Sequence, residues 1–265
     1  MAINIKDKVA LLTGSEGLLG PAFGTLLLEK GAKGVVFLGS EKANDINKEL
    51  VEKFGGERVM LYTCDITDQA SMKAGFEEAK ARFERVDVVC NCGSSWDEIK
   101  WENTVQVSLH GVIHGTRLAL EYLEPNGLLV NVTSVAAMTL APYLPIISAC
   151  KAAVLAYTKT VAKYDPVAKA QKIRVNVFLP CPMEGDEMSS AVLAEEKVQQ
   201  HATITLTKLK TKPPNIVASA LMMLIDQDRH DETLYVHGEL GPIFAADDTD
   251  EFRRKYRAST VVKNL

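Results

Sequence analysis

The chain has 265 residues, a formal net charge of −4 and 24% charged residues. This length accommodates one α/β domain with a sizeable core or two small domains. The acidic balance argues against a nucleic-acid-binding surface, which needs clustered positive charge. The sequence also lacks an apolar run of about 18 residues, the minimum for a membrane-spanning helix. We therefore expect neither nucleic acid nor a membrane as a partner.

The cysteines indicate a reducing compartment. There are five of them, an odd number, and none forms a CxxC pair; they are Cys64, Cys90, Cys92, Cys150 and Cys181. Scattered cysteines of this kind predict free thiols rather than a disulfide framework. No secretory signal is recognisable at the start of the sequence, so the cytoplasm is the expected location.

The first motif is a strand, a glycine turn and a helix. Residues 9–12 form a short apolar run, which is typical of a strand buried on both faces. TGSEGLLG follows and leads into an apolar-rich helix. In such a turn the backbone amides and the helix N-terminus can meet a pyrophosphate. Gly14, Gly17 and Gly20 are therefore candidate cofactor-binding residues; the alternative is a tight turn that holds no ligand.

The end of the second strand, residues 35–38, departs from a dinucleotide site. Such a site places Asp or Glu there to bind the adenosine ribose hydroxyls, but this chain has Gly39. Ser40 and Lys42 would favour a 2′-phosphate, whereas Glu41 would bind a ribose if the loop shifted. We therefore expect weak binding of NAD or NADP, with no cofactor at all as a serious alternative.

A proton-transfer site is half present in the middle of the chain. The apolar strand 128–132 ends at Ser134, and after a proline-containing loop a helix carries Lys151 one turn after Ile147. A hydroxyl at a strand end facing a lysine on the next helix can support proton transfer. An acid or base between them is missing.

The helix predicted for residues 101–123 carries two histidines. His110 and His114 are four residues apart, a spacing that can ligate zinc on a helix. Neither a following glutamate nor a third ligand is evident. We therefore predict no metal site and interpret the pair as packing or interface residues.

The rest of the chain continues the alternation of strands and helices. A strand is predicted at 175–179, a helix at 213–225 and a final strand at 233–237, followed by a charged tail at 247–265. This pattern predicts an α/β fold with one doubly wound parallel sheet of about seven strands and helices on both faces. We expect one domain, residues 1–246.

These motifs resemble the short-chain dehydrogenase/reductase family over nearly the full length. The family's catalytic segment has a serine and then Tyr-x-x-x-Lys, which Ser134 and Lys151 match, with Ile147 in place of the tyrosine. The resemblance implies a Rossmann-type fold and oxidation of alcohols or reduction of ketones with NAD or NADP. In that chemistry the tyrosine transfers the proton, the lysine lowers the tyrosine pKa, and the serine orients the substrate oxygen.

The resemblance also assigns other residues. Asp65 would contact the adenine ring, with a helix N-cap as the alternative reading, and Asn91 would pack against the cofactor. Ser108 stands where the family has an asparagine that holds a relay water. Residues 186–210 correspond to the lid over the substrate.

Departures from the family pattern concentrate where the cleft is expected. They are Leu18, Gly39, Cys92, Ser94, Ser108, Ile147, Cys181 and Gly185. We interpret them as relaxed or redirected function at the cofactor site. Tyr143, in the loop before Lys151, is the candidate to replace the missing phenol.

Three functions are compatible with this pattern. The first is a divergent protein that binds, and transforms without ordinary hydride transfer, a small lipophilic molecule. The second is an NAD- or NADP-dependent oxidoreductase for a secondary alcohol or ketone that uses Tyr143 or water. The third is a catalytically silent subunit or a structural protein. By the family pattern, a homodimer would pair the helices at 101–123 and 146–164.

Overall fold

A computed structural model describes residues 2–138, 144–185 and 210–245 of the chain. The predicted lid, the tail and Tyr143 lie outside these residues, apart from Lys210 at the end of the lid segment, and the boundary at residue 246 stays a prediction. The strands, in chain order, are β1 (Val9–Thr13), β2 (Gly34–Gly39), β3 (Val59–Thr63), β4 (Val88–Asn91), β5 (Leu128–Val132), β6 (Arg174–Leu179), β7 (Thr233–His237) and β8 (Gly241–Ala245).

These strands form a single sheet in the order β3-β2-β1-β4-β5-β6-β7-β8. The pairs from β3 through β7 are parallel, and β8 pairs with β7 in the antiparallel direction. The α/β prediction of a doubly wound sheet is therefore confirmed, with an eighth, antiparallel strand at one edge. Pro242 lies in that strand, which fits an edge position because proline cannot donate to a ladder.

Helices cover both faces of the sheet. They are α1 (Leu19–Glu29), α2 (Glu41–Phe54), α3 (Gln69–Phe83), α4 (Trp101–Val105), α5 (Gly111–Tyr122), α6 (Pro145–Tyr164), α7 (Pro166–Gln171) and α8 (Pro214–Asp226). A π-helical turn, Gln106–His110, joins α4 to α5, so the predicted helix at 101–123 is confirmed with one irregular turn. None of the helices in the described ranges is long and apolar enough to cross a membrane.

Two hydrophobic cores flank the sheet, and β1 contributes to both. Ala10 and Leu12 belong to the core with α1 and α8, whereas Val9 and Leu11 belong to the core with α3 and α5. Successive side chains of a strand point to opposite faces, so a continuous apolar run fills both layers. This is why the central strands have no polar alternation.

The direction of strand order reverses at β1, which lies between β2 and β4. In such sheets ligands bind in the crevice outside the carboxyl ends of the strands at this point. The loops after β1 and β4 meet there: a Cβ added at Gly14 would lie 2.2 Å from Gly93 Cα. Gly14 also has φ +62°, so a glycine is required on two grounds.

Candidate functional site

Ser134 and Lys151 lie on adjoining elements at the carboxyl edge of the sheet. Thr133 Oγ1 donates to the backbone carbonyl of Lys151 at 2.8 Å, which ties the end of β5 to the second turn of α6. Ser134 begins a short 3₁₀ turn, where its hydroxyl accepts from the Ala136 amide at 3.2 Å. The sequence-predicted pair is thus held on one rigid corner of the fold.

The side chain of Lys151 is unusually buried for an amine. Only 2% of the residue is exposed. Burial lowers the pKa of Lys151 to about 8, against small opposing effects of Cys150 and Cys92. Desolvation disfavours the charged form, so this amine can exchange a proton near neutral pH.

Ile147 is fully buried, with 0% exposure, one turn before Lys151. Its hydrocarbon side chain cannot transfer a proton, and its backbone amide is occupied by a hydrogen bond to Glu98. Tyr143, the candidate replacement, lies outside the described residues.

Glu98 is a site residue that the sequence did not reveal. Its two carboxylate oxygens accept from the backbone amides of Ile146 and Ile147, both at 3.0 Å. Leu144, which precedes α6, supplies no side-chain cap. A carboxylate from a distant loop therefore satisfies the amides at the start of this helix. The sequence does contain one indication of such a cap: no Ser, Thr, Asp or Asn directly precedes Pro145, so the start of the helix needs a cap from elsewhere in the chain.

Ser108 sits in the π-helical turn, where the family resemblance places a water-holding asparagine. Its Oγ accepts from the Ser95 amide at 2.9 Å and donates to the Ser95 carbonyl at 3.0 Å. These two bonds fix the loop after β4 against the helix. The hydroxyl is fully buried, so its role in this structure is to hold that loop.

Asn91 is buried inside a polar network rather than exposed to the crevice. Its Oδ1 accepts from Thr13 Oγ1 at 3.0 Å, and its Nδ2 donates to Asn131 Oδ1 at 2.8 Å. Asn131 in turn donates to Thr158 of α6 at 2.9 Å. Buried polar networks of this kind fix the relative positions of their members when every partner is satisfied. This network fixes the positions of β1, β4, β5 and α6 relative to one another at the edge where the site lies.

The glycine loop has the features of a phosphate cradle. Gly17 has open space where a Cβ would stand, and a Cβ at Gly20 would lie 3.0 Å from Ser15 Cα. The Ser15 hydroxyl is fully buried and has no hydrogen-bond partner among the described residues. An orphaned buried hydroxyl costs stability unless a further group satisfies it. The loop thus has both space and an unused donor.

Asp65 stabilises the turn before α3. Its Oδ1 accepts from the amide and the hydroxyl of Thr67 at 2.8 and 2.7 Å. The N-cap of α3 is instead Asp68, which accepts from the Ala70 and Ser71 amides. The N-cap reading of Asp65 is therefore wrong by three residues, because the helix begins later than the sequence suggested.

Two departures from the family pattern face each other across the crevice. A Cβ at Gly185 would lie 3.8 Å from Leu18 Cδ1, so the leucine that replaces a loop glycine stands beside the loop after β6. Gly185 has φ +85°. A separation of 3.8 Å is an ordinary van der Waals contact, so the two residues are neighbours without a steric conflict.

The thiols near the site are protonated. Burial raises the pKa of Cys181 to about 11 and also raises the pKa of Cys150. Since the thiolate is the nucleophile, these cysteines act as small apolar groups. Cys90 and Cys92 lie with their sulfurs 3.5 Å apart, and the hydrogen bond to Cys92 together with burial raises the pKa of Cys90.

The histidine pair on the α4–α5 helix is not a metal centre by itself. The rings of His110 and His114 lie 6.5 Å apart, and His110 Nδ1 is hydrogen-bonded to Gln106 at 2.9 Å. In the described ranges no group of three or more His, Cys, Asp or Glu residues could hold a metal ion.

Comparisons with known proteins agree with this architecture. The rat 15-hydroxyprostaglandin dehydrogenase [NAD(+)] is 29% identical over 238 residues, 85% of this chain and 89% of the rat protein. A 3-oxoacyl-[acyl-carrier-protein] reductase of Thermotoga maritima is 29% identical over 254 residues, 90% of this chain and 96% of that protein. The structure of a short-chain dehydrogenase/reductase from Serratia marcescens superposes with a TM-score of 0.73 and 19% sequence identity. The match covers 89% of this chain and 98% of the Serratia chain. The family model of the short chain dehydrogenases matches residues 8–197, and the chain belongs to this family.

Proposed function

We propose that this protein is a nicotinamide-dinucleotide-dependent oxidoreductase acting on a secondary alcohol or ketone of a small lipophilic molecule. Tyr143 or a water takes over the proton transfer for which Ile147 is unsuited. The observation that carries this proposal is Lys151: a buried amine with a pKa of about 8, fixed to the strand end that bears Ser134. Relatives named as NAD(+) dehydrogenase and reductase support it.

The residues at the crevice fit the cofactor. The open space at Gly17 and the unpartnered Ser15 hydroxyl lie at the start of α1, where helix amides and the helix dipole favour phosphate. Gly14 allows the loop to lie against Gly93. These residues would hold the pyrophosphate, and a bound nicotinamide would accept or donate the hydride.

The residues of the chain would divide the remaining work. The Ser134 hydroxyl, at the carboxyl edge of β5, would orient the substrate oxygen. The Lys151 amine would hold and polarise the hydroxyl or water that exchanges the substrate proton. Burial of this amine excludes bulk water, which strengthens each such hydrogen bond.

A second candidate is a protein that binds the lipophilic molecule without ordinary turnover. The fully buried Ile147 favours it, because loss of a positioned acid–base group costs about 10²–10⁴ in rate. A catalytically silent subunit is the limiting case of the same idea.

Residue 147 offers the experiment that separates these candidates. Dinucleotide binding and NADH formation are measured on a panel of lipophilic secondary alcohols for the wild type and for Ile147→Tyr, Ile147→Phe and Lys151→Ala. If the proposal holds, the wild type turns over, Lys151→Ala loses at least about tenfold, and Ile147→Tyr gains about 10²-fold. Ile147→Phe, which has the bulk without the hydroxyl, gains nothing.

The other outcomes are equally informative. A wild type that binds dinucleotide and ligand without turnover, combined with activity of Ile147→Tyr, supports the binding protein. Absence of dinucleotide binding overturns the oxidoreductase. In an active wild type, Tyr143→Phe distinguishes a phenol relay, which it abolishes, from a water relay, which it leaves intact.

We also propose that the protein resides in the cytoplasm. All five cysteines are free thiols, and such thiols persist in a reducing compartment.

A further inference from the structure

The ribose-binding end of the crevice lacks its acid for a steric reason. A Cβ added at Gly39, the last residue of β2, would lie 2.9 Å from Ala43 Cβ and 3.6 Å from both the amide nitrogen and Oγ of Ser15. A separation below about 3 Å requires the neighbouring atoms to move. An aspartate or glutamate at this position would therefore require Ala43, on α2, to move, whereas its separation from the glycine loop is an ordinary contact.

A carboxylate nevertheless lies at this end of β2. Glu16, in the glycine loop, extends its side chain so that Oε1 accepts from the backbone amide of Ser40 at 3.3 Å. Ser40 immediately follows Gly39 and begins α2, and no side chain of α2 caps it locally. Glu16 thus brings a negative charge to the residue next to the vacant acid position.

The remaining lone pairs of this carboxylate are free to bind a ligand. Glu16 is exposed, and Oε1 is the oxygen that contacts Ser40, so Oε2 is the oxygen that we assign to a ligand. An ionised carboxylate only accepts hydrogen bonds, and the ribose 2′- and 3′-hydroxyls can donate to it. A 2′-phosphate in the same place would meet a like charge, which disfavours binding.

We propose that Glu16 serves as the ribose-binding acid in place of residue 39 and gives the site its preference for NAD over NADP. This inference rests on the proposed dinucleotide-dependent function. It differs from the expectation that Ser40 and Lys42 favour a 2′-phosphate, because the carboxylate beside Ser40 would repel that group. The acid moves from the strand end to the loop, while its chemistry is retained.

Titration calorimetry with NAD⁺ and NADP⁺ on the full-length protein tests this assignment. We expect the wild type to bind NAD⁺ at least about tenfold more tightly than NADP⁺. Glu16→Gln should weaken NAD⁺ binding about tenfold to a hundredfold, the range for a lost charged hydrogen bond, without weakening NADP⁺ equally. The ratio of the two dissociation constants then falls towards one.

Glu49→Gln is the matched control, because Glu49 is also exposed and lies on α2, away from the glycine loop. It should leave the ratio unchanged, and thermal melts of both variants verify folding. A wild type that binds NAD⁺ and keeps its ratio in Glu16→Gln overturns this inference alone. A ratio that falls equally in Glu49→Gln also overturns it, since the effect then comes from the general loss of negative charge. A wild type that binds neither dinucleotide overturns both the inference and the proposed function.

Discussion

Keeping the Lys151 amine inside the protein has an energetic cost that depends on pH. The folded chain holds the pKa of this group at about 8, against an ordinary value of 10.5, because burial penalises the charged form. Between these two values the unfolded chain binds more protons than the folded chain. Stability therefore rises with pH through this window, and the full penalty is present below about pH 8.

Lys151→Met isolates that cost, since methionine has similar length and no charge. The variant should have a larger free energy of unfolding than the wild type at pH 7. The difference between the two free energies should shrink by about 3 kcal/mol as the pH rises towards 10.5. Urea unfolding of both proteins at several pH values measures it. A difference that stays constant with pH would show that the amine keeps its ordinary pKa in the folded chain.

Residue-scale chemistry was only partly readable from the sequence. Ser134 and Lys151 were found because a motif fixes their spacing along one strand and one helix. Glu16 and Glu98 could not be found in this way. Each accepts a hydrogen bond from a backbone amide more than 20 residues away in sequence, and no local sequence pattern predicts such a contact. Asn91 was identified by motif position, but its side chain belongs to the buried network because Thr13 and Asn131 flank it on neighbouring strands.

At the scale of elements, α6 depends on a cap supplied by another part of the chain. The carboxylate of Glu98 holds the Ile146 and Ile147 amides at the first turn, and the same helix carries Lys151. A negative charge at this position also interacts favourably with the helix dipole. The cap therefore fixes the direction of the helix that presents the amine.

Glu98→Gln should destabilise the protein by about 1–2 kcal/mol, because an amide offers one acceptor where the carboxylate offers two. Chemical unfolding at neutral pH is the measurement. Glu78→Gln, an exposed glutamate on α3, is the control and should change stability by less than about 0.5 kcal/mol. Equal effects of the two substitutions would mean that the cap contributes nothing specific.

Elements with a continuous apolar run were the most predictable. Strands β1 and β2 are buried on both faces along their whole length, so their composition alone indicates parallel strands under helices. Strand β8 was missed because its sequence, GPIFA, begins with glycine and proline and is only partly buried. Its antiparallel pairing with β7 is a tertiary contact that stabilises a segment with little strand propensity of its own.

At the scale of the whole molecule, helix α6 presents an exposed face that suits a second copy of the chain. Helix α6 exposes a row of small residues spaced three or four apart, Ala149, Ala152, Ala156 and Thr160. Residues at this spacing share one face of a helix. Small side chains let two helices approach closely, so we propose that the homodimer suggested by the family pattern forms here.

Ala156→Arg tests that assembly without disturbing the fold, since the position is exposed in the single chain. In sedimentation velocity the wild type should be a dimer. The variant's dimer dissociation constant should be at least about tenfold higher, because a long charged side chain must be desolvated between the helices. Ala170→Arg, on the exposed side of α7, should leave the dimer intact. A monomeric wild type, or a dimer that tolerates Ala156→Arg as readily as Ala170→Arg, would exclude this face as the interface.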